Sequence, residues 1–120
     1  MKFKKGDIIW GKFGTDARHP IVFYANIDDD LFEGFMLTKS PDGDNISIRE
    51  EFIEKIVNGI NKPFRYNNTH VVNARLLKKW EWKPFRKHGE LTADGIALLE
   101  AIRNGKELEF WEDYESKKII

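Results

Sequence analysis

The sequence predicts a mainly β domain with one packing helix near its C-terminus. Three observations predict it: short runs of strand-forming residues, turn chemistry between those runs, and one well-punctuated helical segment at 93–104. A chain of 120 residues fits a single domain spanning 1–120 and is long enough to bury a working core.

Asp7 to Phe13 (DIIWGKF) reads as a first strand, rich in Ile, Trp and Phe. A polar connection, Gly14 to His19, leads to the apolar run Pro20 to Ala25 (PIVFYA). Proline is tolerated at a strand's first residue, where its missing N–H breaks no ladder. Both faces of this run are apolar, so both need cover, one from the core and the other from the helix or a second subunit. Asn26 to Asp30 is turn chemistry, and Leu31 to Ser40 (LFEGFMLTKS) is a third strand with Gly34 as a bulge or close-approach point. Pro41-Asp42-Gly43-Asp44 turns the chain again before a short strand at 45–48 and a helical turn from Arg49 to Ile56. Thr69 to Leu77 (THVVNARLL) starts as a strand, and Leu108 to Trp111 adds an edge strand.

The helix has signals at both ends. Thr92 suits the N-cap, Leu91 and Ile96 sit where a hydrophobic staple requires them, and Gly105 fits the left-handed position that ends a helix. Ile96, Leu99 and Ile102 mark one apolar face, with Leu98 beside it. Short strands with turns and one helix suit a small SH3-like barrel or a compact α+β sheet.

Composition narrows the chemistry. The chain has no cysteine, which excludes disulfides and thiolate metal sites. His19, His70 and His88 lack metal-ligand spacing. The run Asp42 to Ile46 superficially resembles a calcium loop, but Ile46 and Ile53 stand where oxygen ligands belong. No phosphate-binding glycine motif is present, and no metal or cofactor is expected. With no secretion signal and no apolar stretch of membrane-spanning length, the expected location is the cytoplasm.

Net charge is zero but unevenly spread. Residues 1–61 carry 8 Lys/Arg against 11 Asp/Glu, residues 62–88 carry 8 against the single Glu81, and residues 89–120 carry 4 against 8. A basic block inside a neutral chain points to an anionic partner, or to a solvated strand edge guarded by lysines. Here Arg65-Tyr66, Lys78-Lys79-Trp80, Trp82-Lys83 and Phe85-Arg86-Lys87-His88 interleave cations with aromatic rings. Single-stranded nucleic acid takes that combination, cations following phosphates and rings stacking on bases. Alternation of Trp80 and Trp82 with Lys79, Glu81 and Lys83 equally fits a half-buried strand that puts the tryptophans in the core.

From Lys4-Lys5-Gly6-Asp7-Ile8-Ile9-Trp10 onward the chain resembles the MazF/PemK family of toxins. That family opens on a similar basic–Gly–acidic strand, then has a polar loop ending in Arg-Pro before an apolar strand. Here the loop ends Arg18-His19-Pro20, followed by Ile21-Val22-Phe23. Leu37-Thr38-Lys39-Ser40 resembles the family's third strand end, 69–77 a later strand, and 93–104 the C-terminal helix.

The resemblance implies an SH3-like barrel of the MazF/PemK/CcdB type that forms a homodimer, pairs with an antitoxin protein and cuts single-stranded RNA without metal. The ribose 2′-hydroxyl would attack the adjacent phosphorus, which needs a base, an acid and cationic donors. Carried over by position, His19 stands where the family has its arginine before proline, Arg18 lies one residue earlier, and Thr38 matches the hydroxyl residue at the strand end. His19 would then shuttle the proton, Arg18 hold the phosphate and Thr38 hydrogen-bond to it. The implied RNA contacts are Lys12, Lys39, Ser40, Arg65, Asn73 and Arg75. The chain departs from the pattern in its short 14–19 loop, in lacking Arg beside Pro20, and in lacking a carboxylate around Asn73 and Arg75. The alternative is a non-catalytic barrel that binds RNA or a partner protein. A gyrase poison of the CcdB kind resembles the same fold but has no motif here.

Overall fold

The computed structural model describes residues 3–11, 19–56, 68–82 and 84–117. It is mainly β. The strands are β1 (Asp7–Trp10), β2 (Ile21–Asn26), β3 (Leu31–Thr38), β4 (Ile46–Ser47), β5 (Ile53–Ile56), β6 (His70–Val71), β7 (Arg75–Lys79), β8 (Arg86–Leu91) and β9 (Leu108–Phe110). Helix α1 spans Ala93–Arg103 and a short helix α2 spans Trp111–Ser116. The sheet runs β4-β6-β3-β2-β1-β8-β5, with β7 also beside β3 and β9 beside β7. Its ladders are antiparallel except β7–β9. Among the described residues the ladders leave the sheet open.

Alternation along β2 and β3 builds two apolar clusters, one on each face. Val22, Tyr24, Phe35 and Leu37 face the first, where Leu99 and Ile102 of α1 cover them. Ile21, Phe23, Phe32 and Met36 face the second, closed by Phe85, Tyr114 and partly buried Phe3, Trp80 and Trp111. Each such side chain, once buried, stabilises the fold by ~1.5–3 kcal/mol relative to exposure. Both faces of the apolar second strand are therefore covered within one chain, and covering β2 requires no second subunit. Gly34 is a close-approach point: a Cβ there would lie 2.5 Å from Ile21 Cγ2. The irregularity in the ladder falls on β2, between Phe23 and Ala25.

Both helix signals operate. Thr92 Oγ1 accepts from the Gly95 N–H at 3.1 Å, and Gly105 has φ 76° just past the helix. At the other end of the chain, Gly6 (φ 95°) lets the backbone bond both neighbours: its N–H donates to Phe23 O and its carbonyl accepts from the Leu91 N–H, each at 2.9 Å. Asp7 and Lys87 form an ion pair at 3.2 Å, and Lys4 reaches Glu90 at 3.1 Å. The basic–Gly–acidic opening thus has a structural use in joining β1 to β8.

Several elements differ from the sequence reading. The first strand ends at Trp10. The 49–56 segment is a 3-10 turn at Glu50–Phe52 followed by β5. The 69–77 strand divides into β6 and β7, because the chain bends where the Ala74 N–H turns back to the Val72 carbonyl at 2.9 Å. Trp80–Trp82 is a 3-10 turn and no half-buried strand. The Trp80 N–H donates to Asp30 O at 2.9 Å and its ring joins the second cluster. The edge strand at 108–110 forms, and α2 follows it. Among the described residues no helix is long and apolar enough to cross a membrane.

His88 of β8 is fully buried, edge-on to Trp10 at 5.5 Å. Burial holds its pKa below the ordinary 6.5. Below that value the unfolded chain takes up a proton that the folded chain resists, so stability falls as pH drops and is complete above it. Urea unfolding at about pH 7.5 and about pH 5 reads this loss, and His88→Gln is expected to reduce it. An equal loss in both proteins would assign the effect to other groups.

Candidate active site

The β2–β3 register sets the geometry. Ile21 pairs with Met36 and Val22 with Phe35. The Leu37 N–H donates to the Pro20 carbonyl at 2.9 Å, so the pairing continues to the mouth of the loop before Pro20. One residue before Pro20, His19 lies in a bend just beyond the end of the ladder; the same register, continued, would set it opposite Thr38. On the other edge of β3, Thr38 pairs with His70 of β6, and His70 in turn with Ser47 of β4. Directly opposed residues share a face of the sheet. Thr38, His70 and Ser47 therefore form one row across three neighbouring strands, at the rim of the face that carries Ile21 and Met36, and the His19 bend precedes β2 on the other side of β3.

Thr38 is only 7% exposed, and its Oγ1 accepts from the Ser40 N–H at 3.1 Å. That bond uses a lone pair and leaves the hydroxyl proton available to donate. The loop after Thr38 is ordered by its own polar groups. Ser40 Oγ accepts from the Asp42 N–H at 3.2 Å, and Asn45 Nδ2 donates to Ser40 O at 3.1 Å. Lys39 is exposed between them. His70 Nδ1 lies 3.2 Å from the Asn68 carbonyl. A carbonyl oxygen only accepts, so Nδ1 carries the proton there and Nε2 presents the lone pair when the ring is neutral.

The remaining expected contacts have other work in the fold. Arg75 donates to both Glu33 carboxylate oxygens, from Nε and Nη2 at 3.1 Å each, and from Nη1 to Lys106 O at 2.7 Å. Asn73 Nδ2 donates to Asp44 Oδ2 at 3.3 Å, and Tyr114 Oη to Asp44 Oδ1 at 3.1 Å. Burial and the Asp44 charge push the Tyr114 hydroxyl up to about 12, so it stays a donor and ties α2 to the loop that begins at Thr38. Lys12, Arg18 and Arg65 lie outside the described residues.

Among the described residues, part of the basic block is paired within the protein. Lys87 pairs with Asp7 and Glu90, Arg75 with Glu33, and Lys79 approaches Glu81 at 4.0 Å. Trp80 and Phe85 belong to the second cluster. Sequence reasoning missed His70, because only the β3–β6 register brings it beside Thr38. Among the described residues no group of three or more His, Cys, Asp or Glu side chains is placed to hold a metal ion. Set against models of known families, curated proteins and solved structures, the chain matches none.

Proposed function

We propose that the protein is a metal-independent endoribonuclease that cuts single-stranded RNA, a toxin of the MazF/PemK type. The observation that supports the reading is the Leu37–Pro20 backbone bond at 2.9 Å, which brings the chain next to His19 up to the strand end that carries Thr38. That juxtaposition supplies a proton-transfer group near a hydroxyl donor at the sheet's rim, with Lys39 as a neighbouring cation. The reading includes the finer fold, a small SH3-like barrel, supported by β3 lying between β2 and the split 70–79 segment. It also includes a cytoplasmic setting and an antitoxin protein that covers the rim. A homodimer in this reading uses a surface other than β2.

In the reaction the 2′-oxygen bonds to phosphorus as its proton leaves, and the bond to the 5′-oxygen breaks as that oxygen gains a proton. The products are a 2′,3′-cyclic phosphate and a 5′-hydroxyl. His19 moves a proton, the Thr38 hydroxyl donates to a non-bridging oxygen, and Arg18 with Lys39 offsets the phosphorane charge.

The test is cleavage of a labelled single-stranded RNA by purified protein, alongside induced expression in bacteria. Wild-type protein is expected to cut and to arrest growth. His19→Ala is expected to lose about 10²-fold in rate. Thr38→Val is expected to lose about tenfold, the worth of one hydrogen bond. No cleavage by the wild type overturns the reading.

A second reading is a barrel that binds RNA or a partner protein without cutting, and one observation favours the partner protein. Arg75 and Asn73, two of the six expected RNA contacts, are engaged with Glu33 and Asp44. RNA retained in a filter-binding assay without any product would select its RNA-binding form.

A further inference from the structure

We infer that His70 is the second proton-transfer residue of this site, the general base that takes the 2′-hydroxyl proton. The inference rests on the ribonuclease reading and deepens it. Two observations carry it. His70 and Thr38 are paired residues of adjacent strands, so their side chains leave the sheet on the same face. The Nδ1 proton of His70 is held by the Asn68 carbonyl at 3.2 Å, which leaves Nε2 as the basic atom.

The chemistry requires two groups in opposite protonation states, one on each side of the phosphorus. In-line displacement places the attacking 2′-oxygen and the departing 5′-oxygen on opposite sides, so one imidazole cannot serve both in a single step. His70 beside Thr38, with the His19 bend on the β2 side of β3, meets that demand. β3, which carries Thr38, lies between β6, which carries His70, and β2, which the His19 bend precedes; β6 and β2 are two spacings apart, ~9–10 Å between backbones. A phosphodiester seated over the Thr38 hydroxyl would have one imidazole on either side.

The roles follow from the hydrogen bond at His70. A neutral ring with Nδ1–H held by a carbonyl offers Nε2 to the 2′-hydroxyl, and the same carbonyl stabilises the imidazolium that forms. His70 Nε2 takes the proton as the 2′-oxygen–phosphorus bond forms. Protonated His19 gives its proton to the 5′-oxygen as the phosphorus–oxygen bond breaks. One proton enters at His70 and one leaves at His19, so the pair returns to its starting state after exchange with solvent. The left-handed backbone of Asn68 (φ 54°) belongs to the turn that aims its carbonyl at the ring. Asn68 is thus a positioning residue.

The experiment compares two substrates with wild type, His70→Ala and His19→Ala. One is a labelled RNA oligonucleotide; the other is a uridine 3′-aryl phosphate, whose nitrophenolate leaves without a proton. On RNA both variants are expected to be slower by about 10²-fold. On the aryl ester His19→Ala is expected to recover toward the wild-type rate, while His70→Ala stays slow, because only the base is still needed. A thermal melt accompanies each variant, and His70→Gln, which keeps side-chain bulk and polarity, stands in for His70→Ala if the alanine form does not fold. If wild type cuts and both His70 variants cut at its rate, the assignment of His70 fails while the ribonuclease reading stands. Recovery of His70→Ala on the aryl ester would reverse the roles and overturn the assignment as base. If wild type cuts neither substrate, both fall together.

Discussion

Glu33→Gln is expected to lower the unfolding free energy by about 3 kcal/mol, with the urea midpoint falling and the slope unchanged. Glu33 lies on β3 with its side chain 3% exposed, yet it carries a charge. Two arginines from distant parts of the chain hold it. Arg75 of β7 donates to both carboxylate oxygens, and Arg103 of α1 does the same from Nε at 2.7 Å and Nη2 at 3.2 Å. The carboxylate therefore joins the helix to two strands at one point. Burial alone would raise its pKa, but the hydrogen bonds and charges of Arg75 and Arg103 outweigh that and hold it below 4.5.

Removing the carboxylate charge leaves two guanidiniums facing each other, one of them also bonded to Lys106 O. Breaking a buried ion pair by removing one partner costs ~3–5 kcal/mol. The arginine side chains are 18% and 35% exposed, so water recovers part of their solvation and the figure belongs at the lower end. The pH dependence supplies a second readout. A carboxyl with a depressed folded pKa contributes stability that is present above its unfolded value and is lost as pH falls through the folded one. Wild-type protein is expected to lose this contribution on acidification below 4.5, and Glu33→Gln to show less of that loss. An unchanged midpoint in the variant would mean the triad is solvated and holds nothing.

That triad shows why part of the site was not legible in the sequence. In LFEGFMLT nothing marks Glu33 as a residue needing two cations, and in NARLL nothing marks Arg75 as its ion-pair partner. The pair exists because β3 and β7 align Glu33 with Leu77, bringing together residues 42 apart in the chain. Local signals carried well. The α1 boundaries follow from Thr92 and Gly105, which act within a few residues of themselves. The β2–β3 hairpin follows from turn chemistry, and Asp28 Oδ1 accepts from both the Asp30 and Leu31 N–H at 2.8 Å to close it. The hairpin register, extended by the Leu37–Pro20 bond, brings the chain next to His19 up to the end of β3. His70 could not be found the same way, because its place depends on a ladder between segments more than 30 residues apart.

Trp80→Ala is expected to cost about 3–4 kcal/mol of stability, with little specific effect on RNA binding. An alternating Trp80–Trp82 pattern among lysines permits either a stacking platform or a core residue. The structure distinguishes the two for Trp80. Its ring lies 4.3 Å from Phe32, 5.8 Å from Phe85, 6.1 Å from Phe23 and 6.3 Å from Phe3 between centroids. Its indole Nε1 donates to Asn26 Oδ1 at 2.7 Å. A ring packed in that way, half-buried against the second cluster, serves the core.

Truncation would remove the central plate of an aromatic group that closes the second cluster, and would leave Asn26 without its donor. The loss combines apolar transfer, a cavity and the aromatic pair energies, the last worth ~0.5–1.5 kcal/mol each. Trp80→Phe keeps much of the stacking and loses the indole bond, so it is expected to fall between wild type and alanine. Chemical unfolding of the three proteins, together with RNA titration of each below its unfolding midpoint, separates the possibilities. A platform residue would lose RNA affinity in the alanine variant at nearly full stability. A core residue shows the reverse, a loss of stability with any RNA affinity unchanged while the fold persists.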